Sequence, residues 1–307
     1  MTSPEDLCSV ALTSKSRIDK SGAAYRENPS SASALEGVQC YRLFRLQGLA
    51  LPLELVIESS SGVSTLVGAR LKRLTTICRK LNRFPKMTLS RMADVTGIRV
   101  ICSSLAGTLK VAERLRTDSH WSRTLDYLSN PQDTGYRGLH EILRVSQHLP
   151  SGKEINIDVE VQVRSYWQHL WALQSECLGE QVKEGGGSSK SRKYLHELSG
   201  VIEKRERVEA DREQEALPET GPAISHGVIR SREKGKPEFF TFERMDTAVR
   251  QLSSWESDLG GGERDSLLVV GRGDLGSLKL SIAFTHAVFL GMKEPPLEPW
   301  MPKWAAP

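Results

Sequence analysis

Residues 155–164 constrain the fold of this chain more than any other stretch. Ile155, Ile157, Val159, Val161 and Val163 alternate without a break with Asn156, Asp158, Glu160, Gln162 and Arg164. Side chains in a strand point to opposite faces with period two, so the segment predicts a strand with one core face and one row of polar side chains. Residues 165–182 then read as a helix. Upstream, 97–103 (Gly-Ile-Arg-Val-Ile-Cys-Ser) is a short β-branched strand, Leu105 to Arg116 a helix, and a further strand runs near 138–146. Strands alternating with helices predict an α/β or α+β layered fold.

The flanks are less regular. Residues 1–35 are polar and read as a tail with one helix. Residues 36–58 read as a helix, and so do 64–83, where Leu71, Leu74, Ile77, Cys78 and Leu81 follow helical spacing. The run Gly185-Gly186-Gly187-Ser188-Ser189 is a break, so the main domain is expected over 36–185. Beyond it, 186–215 reads as an exposed amphipathic helix with a thin stripe of Tyr194, Leu198, Val201, Ile202 and Val208. Pro and Gly mark 216–236 as linker. A small C-terminal α/β unit is expected over 237–292, with elements at 238–243, 246–255, 266–270 and 274–284, before a tail at 293–307 that holds five Pro.

Composition narrows the classes. At 307 residues, with 38% hydrophobic residues and 25 Gly, the chain matches ordinary globular proteins and is long enough to bury a core without staples. The five Cys form no CxxC pair, which excludes a zinc ribbon and argues against a disulfide scaffold; isolated thiols fit a reducing cytoplasm. The N-terminus has an early acidic pair and no apolar core of a secretory signal, and no apolar run reaches the length of a membrane span. The net charge of +4 is mild, so its distribution matters more than its size.

That distribution is uneven. Between Glu58 and Asp94 there is no acidic residue but eight basic ones: Arg70, Lys72, Arg73, Arg79, Lys80, Arg83, Lys86 and Arg91. Such a face either grips a polyphosphate or is simply solvated. Asp94 stands just before the 97–103 strand, and Glu160 stands in the polar row of the 155–164 strand. Two carboxylates on neighbouring strands can hold Mg²⁺ together with substrate phosphate oxygens, or one can act as a general base. Metal, carboxylates and Lys/Arg together are the parts of phosphoryl transfer. The loop before the 138–146 strand presents Tyr136, Arg137 and His140, and its Tyr can stack on a nucleobase or pack at the loop base. Two other features carry less. Gly271-Arg272-Gly273-Asp274-Leu275-Gly276 matches G-x-G-x-x-G but lacks the further βαβ units of a dinucleotide fold. In Lys204–Arg212 Glu and Asp are interleaved with Lys and Arg, as on a solvated helix.

In order, these segments resemble the RelA/SpoT alarmone synthetases over about Lys15 to Ile202. Arg70-Leu71-Lys72-Arg73 with Thr76-Ile77 and Lys80-Leu81 resembles the family's R-x-K…SI-x-x-K segment. Asp94-Val95-Thr96-Gly97-Ile98-Arg99 resembles D-I-x-G-I-R. Asp126-Tyr127-Leu128, Pro131 and Gly135-Tyr136-Arg137-Gly138-Leu139-His140 resemble D-Y-I-x-x-P-K-x-x-G-Y-x-S-L-H. Glu160-Val161-Gln162-Val163-Arg164 resembles E-x-Q-I-R, and His169-Leu170-Trp171-Ala172 with Glu176 resembles the helix that follows.

The resemblance implies an α+β, nucleotidyltransferase-like mixed sheet flanked by helices. It also implies transfer of pyrophosphate from ATP to the ribose 3′-hydroxyl of GDP or GTP, making (p)ppGpp in the cytoplasm. Asp94 and Glu160 would be the catalytic carboxylates and hold Mg²⁺, with Glu160 touching the metal or deprotonating the hydroxyl. Arg70, Lys72 and Lys80 would hold the donor, and Arg99 would line the same site. Tyr136 would stack on the acceptor base, and His140, Gln162 and Arg164 would support the acceptor side. The first 70 residues hold no His and so no metal-dependent hydrolase domain, which points to a short, synthetase-only member. Three positions depart from the family pattern: Gln132 stands where Lys or Arg is usual, Gly138 replaces Ser, and Glu184 stands in place of Tyr. The charge missing at Gln132 implies weak activity or a different acceptor. Two alternatives stay open: a toxic short synthetase that pyrophosphorylates the tRNA 3′ CCA end, and a non-catalytic nucleotide sensor. So do a homo-oligomer and an antitoxin partner.

Overall fold

The computed structural model describes residues 11–177, 189–210, 224–230, 238–242 and 266–272, together with residues 244, 247, 250 and 251. The alternating segment is the centre of the molecule. Strand β5 (Glu154–Ser165) buries Ile155, Ile157, Val159, Val161 and Val163 on one face, as its pattern predicts. It pairs in parallel with β2 (Thr96–Cys102) and antiparallel with β4 (Leu139–His148). Beyond β4 lies β3 (Trp121–Asp126), and beyond β2 lies β1 (Thr65–Leu71), both antiparallel. These five strands form a mixed sheet, so the α+β expectation is met.

The core face is covered by the helices that precede and interrupt the strands. They are α1 (Lys15–Glu27), α2 (Ala32–Gln47), α3 (Ala50–Ser59), α4 (Leu74–Arg83) and α5 (Leu105–Thr117). One apolar cluster joins Ile18, Tyr41, Leu53, Ile77 and Val111 of these helices to Val67, Val100, Val161 and Val163 of the sheet. At about 25 cal/mol per Å² of buried apolar surface, this cluster is the main favourable contribution to the fold. The opposite face carries α6 (Tyr166–Cys177) and α7 (Ser189–Ala210) around smaller clusters.

Several expectations change. The predicted 64–83 helix is a strand followed by a helix. Leu66-Val67-Gly68-Ala69 is a near-continuous buried run, typical of a strand covered on both sides, and helical spacing begins only at Leu74. Arg70 therefore lies on β1, not on the helix that carries Lys80. The 36–58 helix is two helices, broken at Gly48-Leu49, and the polar tail contains α1 and the start of α2. Strand β3 has no forecast counterpart, because as an edge strand it leaves Trp121, Arg123 and Leu125 exposed and lacks an apolar face. On α7 the forecast stripe holds in part: Ile202 is buried and Leu198 packs beside it, but Tyr194, Val201 and Val208 are exposed, and Leu195, outside the forecast, is buried.

The stretch read as linker contains β6 (Ile224–Arg230). With β7 (Glu238–Phe242) and β8 (Ser266–Arg272) it extends the same sheet, through antiparallel pairing of β8 with β1. The Pro and Gly residues that suggested a linker cluster before and after β6, apart from Gly227. Helix 246–255 is described only at residues 247, 250 and 251, each helical. The 274–284 helix, the 293–307 tail, Glu184 and most of the G-x-G-x-x-G stretch lie outside the described residues. Cys78 and Cys102 are free and buried, but Cys40 on α2 is disulfide-bonded, against the expectation of isolated thiols throughout. No helix among the described residues is long and apolar enough to cross a membrane.

Candidate active site

Strand register brings the expected residues together on the sheet face opposite the main core. Arg70 of β1 is opposite Gly97 of β2, which is opposite Glu160 of β5. One row along, Arg99 of β2, Gln162 of β5 and His140 of β4 lie side by side. Arg164 follows two residues after Gln162, on the same face by period two. Gly97 leaves open space where a side chain would stand between Arg70 and Glu160.

Asp94 enters from a different element. It sits in a short 3₁₀ turn (Ala93–Val95) just before β2, with φ −95° and ψ 20°. Its carboxylate accepts from Lys72 Nζ at 2.9 Å and Lys80 Nζ at 2.7 Å. Lys72 follows β1 directly, and its backbone N–H donates to Val95 O at 2.8 Å, which ties the two segments together. Lys80 reaches in from α4, whose Ile77, Cys78 and Leu81 face the core. Burial works against ionising Asp94, but the two ammonium groups outweigh it and hold the carboxyl well below its ordinary range. For Lys72 burial is the larger influence and lowers its pKa despite Asp94.

Glu160 anchors a second network. His140 Nδ1 lies 3.1 Å from Glu160 Oε1, and Gln162 Nε2 donates to Oε2 at 2.8 Å. His140 Nε2 lies 2.7 Å from the Tyr136 hydroxyl, which accepts from Arg164 Nε at 2.8 Å. Arg164 Nη2 donates to Gln162 Oε1 at 2.7 Å, which closes a ring of five side chains. Burial opposes ionisation of Glu160, yet His140 and Gln162 outweigh both burial and the charge of Asp94, bringing it down to about 2. Burial likewise opposes charging His140, but Tyr136 and Glu160 raise it to about 9. Burial and the neighbouring Arg164 push Arg99 down, partly offset by Glu176, 4.0 Å away.

Tyr136 is only 8% exposed, and its ring packs with Tyr127, His140 and Trp171 under Leu195 and Ile202 of α7. Of the two readings of this Tyr, the geometry matches packing at the loop base. The more open ring is Tyr127, edge-on to both Tyr136 and His140. Tyr127 and Trp171 are members of this cluster that motif reading did not single out as site residues; the i, i+4 spacing of Trp167 and Trp171 on α6 was the available signal. Helix α7 seats directly on the loop. A Cβ at Gly135 (φ +88°) would lie 3.2 Å from Leu195 O, and Arg137 pairs with Glu203 at 3.3 Å. At Gly138 (φ +150°) a Cβ would lie 3.1 Å from Tyr136 Oη, so the departure from Ser suits this ring position. Gln132 is exposed, and its backbone N–H donates to Tyr136 O at 3.1 Å.

Residues 69–177 match the family described as the region found in RelA/SpoT proteins. The GTP pyrophosphokinase YwaC of Bacillus subtilis is 29% identical over 111 residues, covering 34% of this chain and 52% of that protein. An uncharacterised protein of Mycobacterium tuberculosis is 32% identical over 131 residues, covering 42% of this chain and 44% of its own length. The chain thus spans about half the length of the curated relatives it matches. Among solved structures, small alarmone synthetase 1 of Bacillus subtilis bound to its product pppGpp aligns at 21% identity with a TM-score of 0.47, covering 55% of this chain and 92% of that one. The segment that matches the RelA/SpoT region, residues 69–177, contains Arg70, Lys72, Lys80, Asp94, Glu160 and the Tyr136 loop, so it is over this stretch that the chain is similar to RelA/SpoT proteins.

Proposed function

We propose that this chain transfers the pyrophosphoryl group of ATP to the ribose 3′-hydroxyl of GDP or GTP, forming (p)ppGpp and releasing AMP. One observation carries the reading. Two ionised carboxylates, Asp94 and Glu160, feel each other's charge and are flanked by Lys72, Lys80, Arg70 and Arg99 on one sheet face. Like charges brought together cost free energy, which a phosphate-bound cation would repay.

The donor set fits Mg²⁺, a hard ion that takes one or two carboxylates and completes its shell with substrate phosphate oxygens and water. Among the described residues no group of three or more His, Cys, Asp or Glu could hold a metal, which agrees with an ion shared with substrate. Bound there, the ion would neutralise phosphate charge. The chain's own residues do the rest. Lys72 and Lys80, which neutralise Asp94 here, can turn to the triphosphate. Glu160 takes the proton of the 3′-hydroxyl as its oxygen bonds to the β-phosphorus and the α–β bridging P–O bond breaks, so AMP leaves with the bridging oxygen. His140 holds Glu160 in place through Nδ1. Arg99 and Arg164 hold positive charge in the same buried face, ready for charge that develops on phosphate oxygens. An enzyme drawing on these nucleotides works in the cytoplasm.

The test is AMP release from ATP and Mg²⁺ with GDP, GTP or deacylated tRNA, beside Glu160→Gln. Release that depends on a guanine nucleotide and is lost in the variant supports the reading. Exposure of Arg73, Arg79, Arg83, Lys86 and Arg91, on the segment that also carries Lys72 and Lys80, favours a second reading, in which the acceptor is the tRNA 3′ CCA end. Release with tRNA alone would establish it. Nucleotide binding without any release would make the chain a sensor.

A further inference from the structure

Among the described residues Arg45 of α2 is the largest fully buried side chain. Charged groups are rarely placed so deep without a carboxylate partner, because desolvation costs several kcal/mol per ion. Among the described residues none of its acceptors is a carboxylate. Nη1 donates to Met92 O at 2.9 Å and to the Tyr41 hydroxyl at 3.1 Å. Nη2 donates to Ala93 O at 3.1 Å, to Asp158 O, and weakly to Thr96 Oγ1 at 3.5 Å. Met92 and Ala93 immediately precede Asp94, and Asp158 precedes Glu160 by two residues on β5. One guanidinium therefore bridges the backbones of the two carboxylate-bearing segments.

A three-residue 3₁₀ turn has little hydrogen bonding of its own, and Asp94 sits in its sparsely populated bridge conformation. Such a turn needs an external hold. One helical turn before Arg45, Arg42 extends the pattern: its Nε donates to Lys72 O at 2.8 Å, while the Lys72 N–H donates to Val95 O. A helix that only had to cover the sheet would be served by Leu or Met at these positions, and replacing buried ions by apolar residues is often neutral or stabilising.

We propose that Arg45 is a positioning residue that sets the spacing between Asp94 and Glu160, with Arg42 doing the same for Lys72. This rests on reading Asp94 and Glu160 as the carboxylates of the reaction. Arg45 touches no substrate in this account; it acts through the main chain at 92–94 and 158–160.

The test is Arg45→Met and Arg45→Lys, read by amide hydrogen exchange of the full chain and by steady-state kinetics. In Arg45→Met the peptides covering 91–96 and 155–160 should both exchange at least tenfold faster, while α5 keeps its protection. The kcat should fall at least 30-fold with the KM for ATP within threefold of wild type, and Arg45→Lys should recover part of that kcat. Arg42→Met should loosen 71–73 and raise the KM for ATP instead. A folded Arg45→Met with wild-type exchange in both segments, or with wild-type kcat, would overturn the proposal. Should Arg45→Met not fold, the same readouts in Arg45→Lys decide, because one ammonium cannot span both segments: wild-type exchange and kcat there reject the clamp. If wild-type protein releases no AMP, the functional reading fails on its own, and the paired exchange change alone decides whether Arg45 joins the two segments.

Discussion

Asp94 and Glu160 are both acidic, both nearly buried and both held ionised, but by different chemistry. Asp94 is neutralised by two lysines that arrive from a strand end and from α4. Glu160 is neutralised by His140 and Gln162, which stand on the adjacent strand and on its own strand and are locked into a closed ring with Tyr136 and Arg164. Under the proposed function the first cluster rearranges around the polyphosphate, because its cations can exchange one anion for another. The second is preorganised and includes His140, which Tyr136 and Glu160 raise to about 9. Under the proposed function the first cluster is the donor side, which must open, and the second the acceptor side, which must hold one proton position.

The largest expected effect breaks the first cluster. Asp94→Asn leaves the buried Lys72 ammonium without its counter-ion, and removing one partner of a buried pair costs about 3–5 kcal/mol of stability. The variant should lose both AMP release and a large part of its resistance to urea, measured by equilibrium unfolding. Wild-type stability would mean that Lys72 is solvated or paired elsewhere. Glu160→Gln should lose about 10²–10⁴-fold in kcat as a missing general base while remaining folded, since an amide still accepts from His140. The two carboxylates then separate by readout: Asp94→Asn loses stability with rate at every pH, whereas the stability lost in Glu160→Gln is confined to pH values where His140 carries its proton.

Between these in kind is a pH effect confined to the second cluster. His140 is raised from 6.5 to about 9 in the folded protein. A raised histidine contributes stability that is fully present below pH 6.5 and is lost as the pH rises through about 9. At about 1.4 kcal/mol per pKa unit, the loss is on the order of 3 kcal/mol. Thermal unfolding followed from pH 6 to 9.5 should show a decline that Glu160→Gln flattens, because Glu160 is a principal cause of the shift. An equal decline in Glu160→Gln would assign the effect to other groups. Tyr136→Phe tests the ring more gently. It removes the hydroxyl between Arg164 and His140 and should cost about 1–3 kcal/mol, the penalty for a buried donor left unmatched.

The two clusters were not equally legible in the sequence. Glu160, Gln162 and Arg164 declare themselves through strict alternation on one strand, and register then brings His140 and Arg99 to them. Asp94, Lys72 and Lys80 are visible as residues but not as a constellation. Helical spacing through 71–81 merged β1 with α4 and hid that Lys72 and Lys80 approach from two elements. Period alone cannot separate a fully buried strand from a buried helical turn, because both are continuous apolar runs. The packing of Tyr136 was hidden for another reason. A loop tyrosine looks available for stacking until α7 is placed over it, and the pairing of Gly135 with the backbone of Leu195 and His196 is a tertiary fact with no local signal. Arg45 was the least legible, because the acceptors by which it joins the two segments are backbone carbonyls, which every residue type has.

The smallest expected effect concerns Gln132, which stands where the pattern that the chain resembles usually has Lys or Arg. A charged hydrogen bond to substrate is worth about 1.5–3 kcal/mol where it is desolvated. Gln132 is exposed, however, and lies on the loop that carries Tyr136, on the Glu160 side of the comparison. Solvent screening reduces an exposed pair to about 0.2–1 kcal/mol. Gln132→Lys should therefore raise kcat/KM for a guanine nucleotide by about fivefold or less, with a gain that shrinks as salt is added. A gain of 10²-fold that survives high salt would show that this loop closes over the acceptor and desolvates position 132. The preorganised side of the site would then also be one that moves. No gain with guanine nucleotides but a gain with deacylated tRNA would place the missing charge against a longer anion, and the difference between the two clusters would become a difference in acceptor as well as in chemistry.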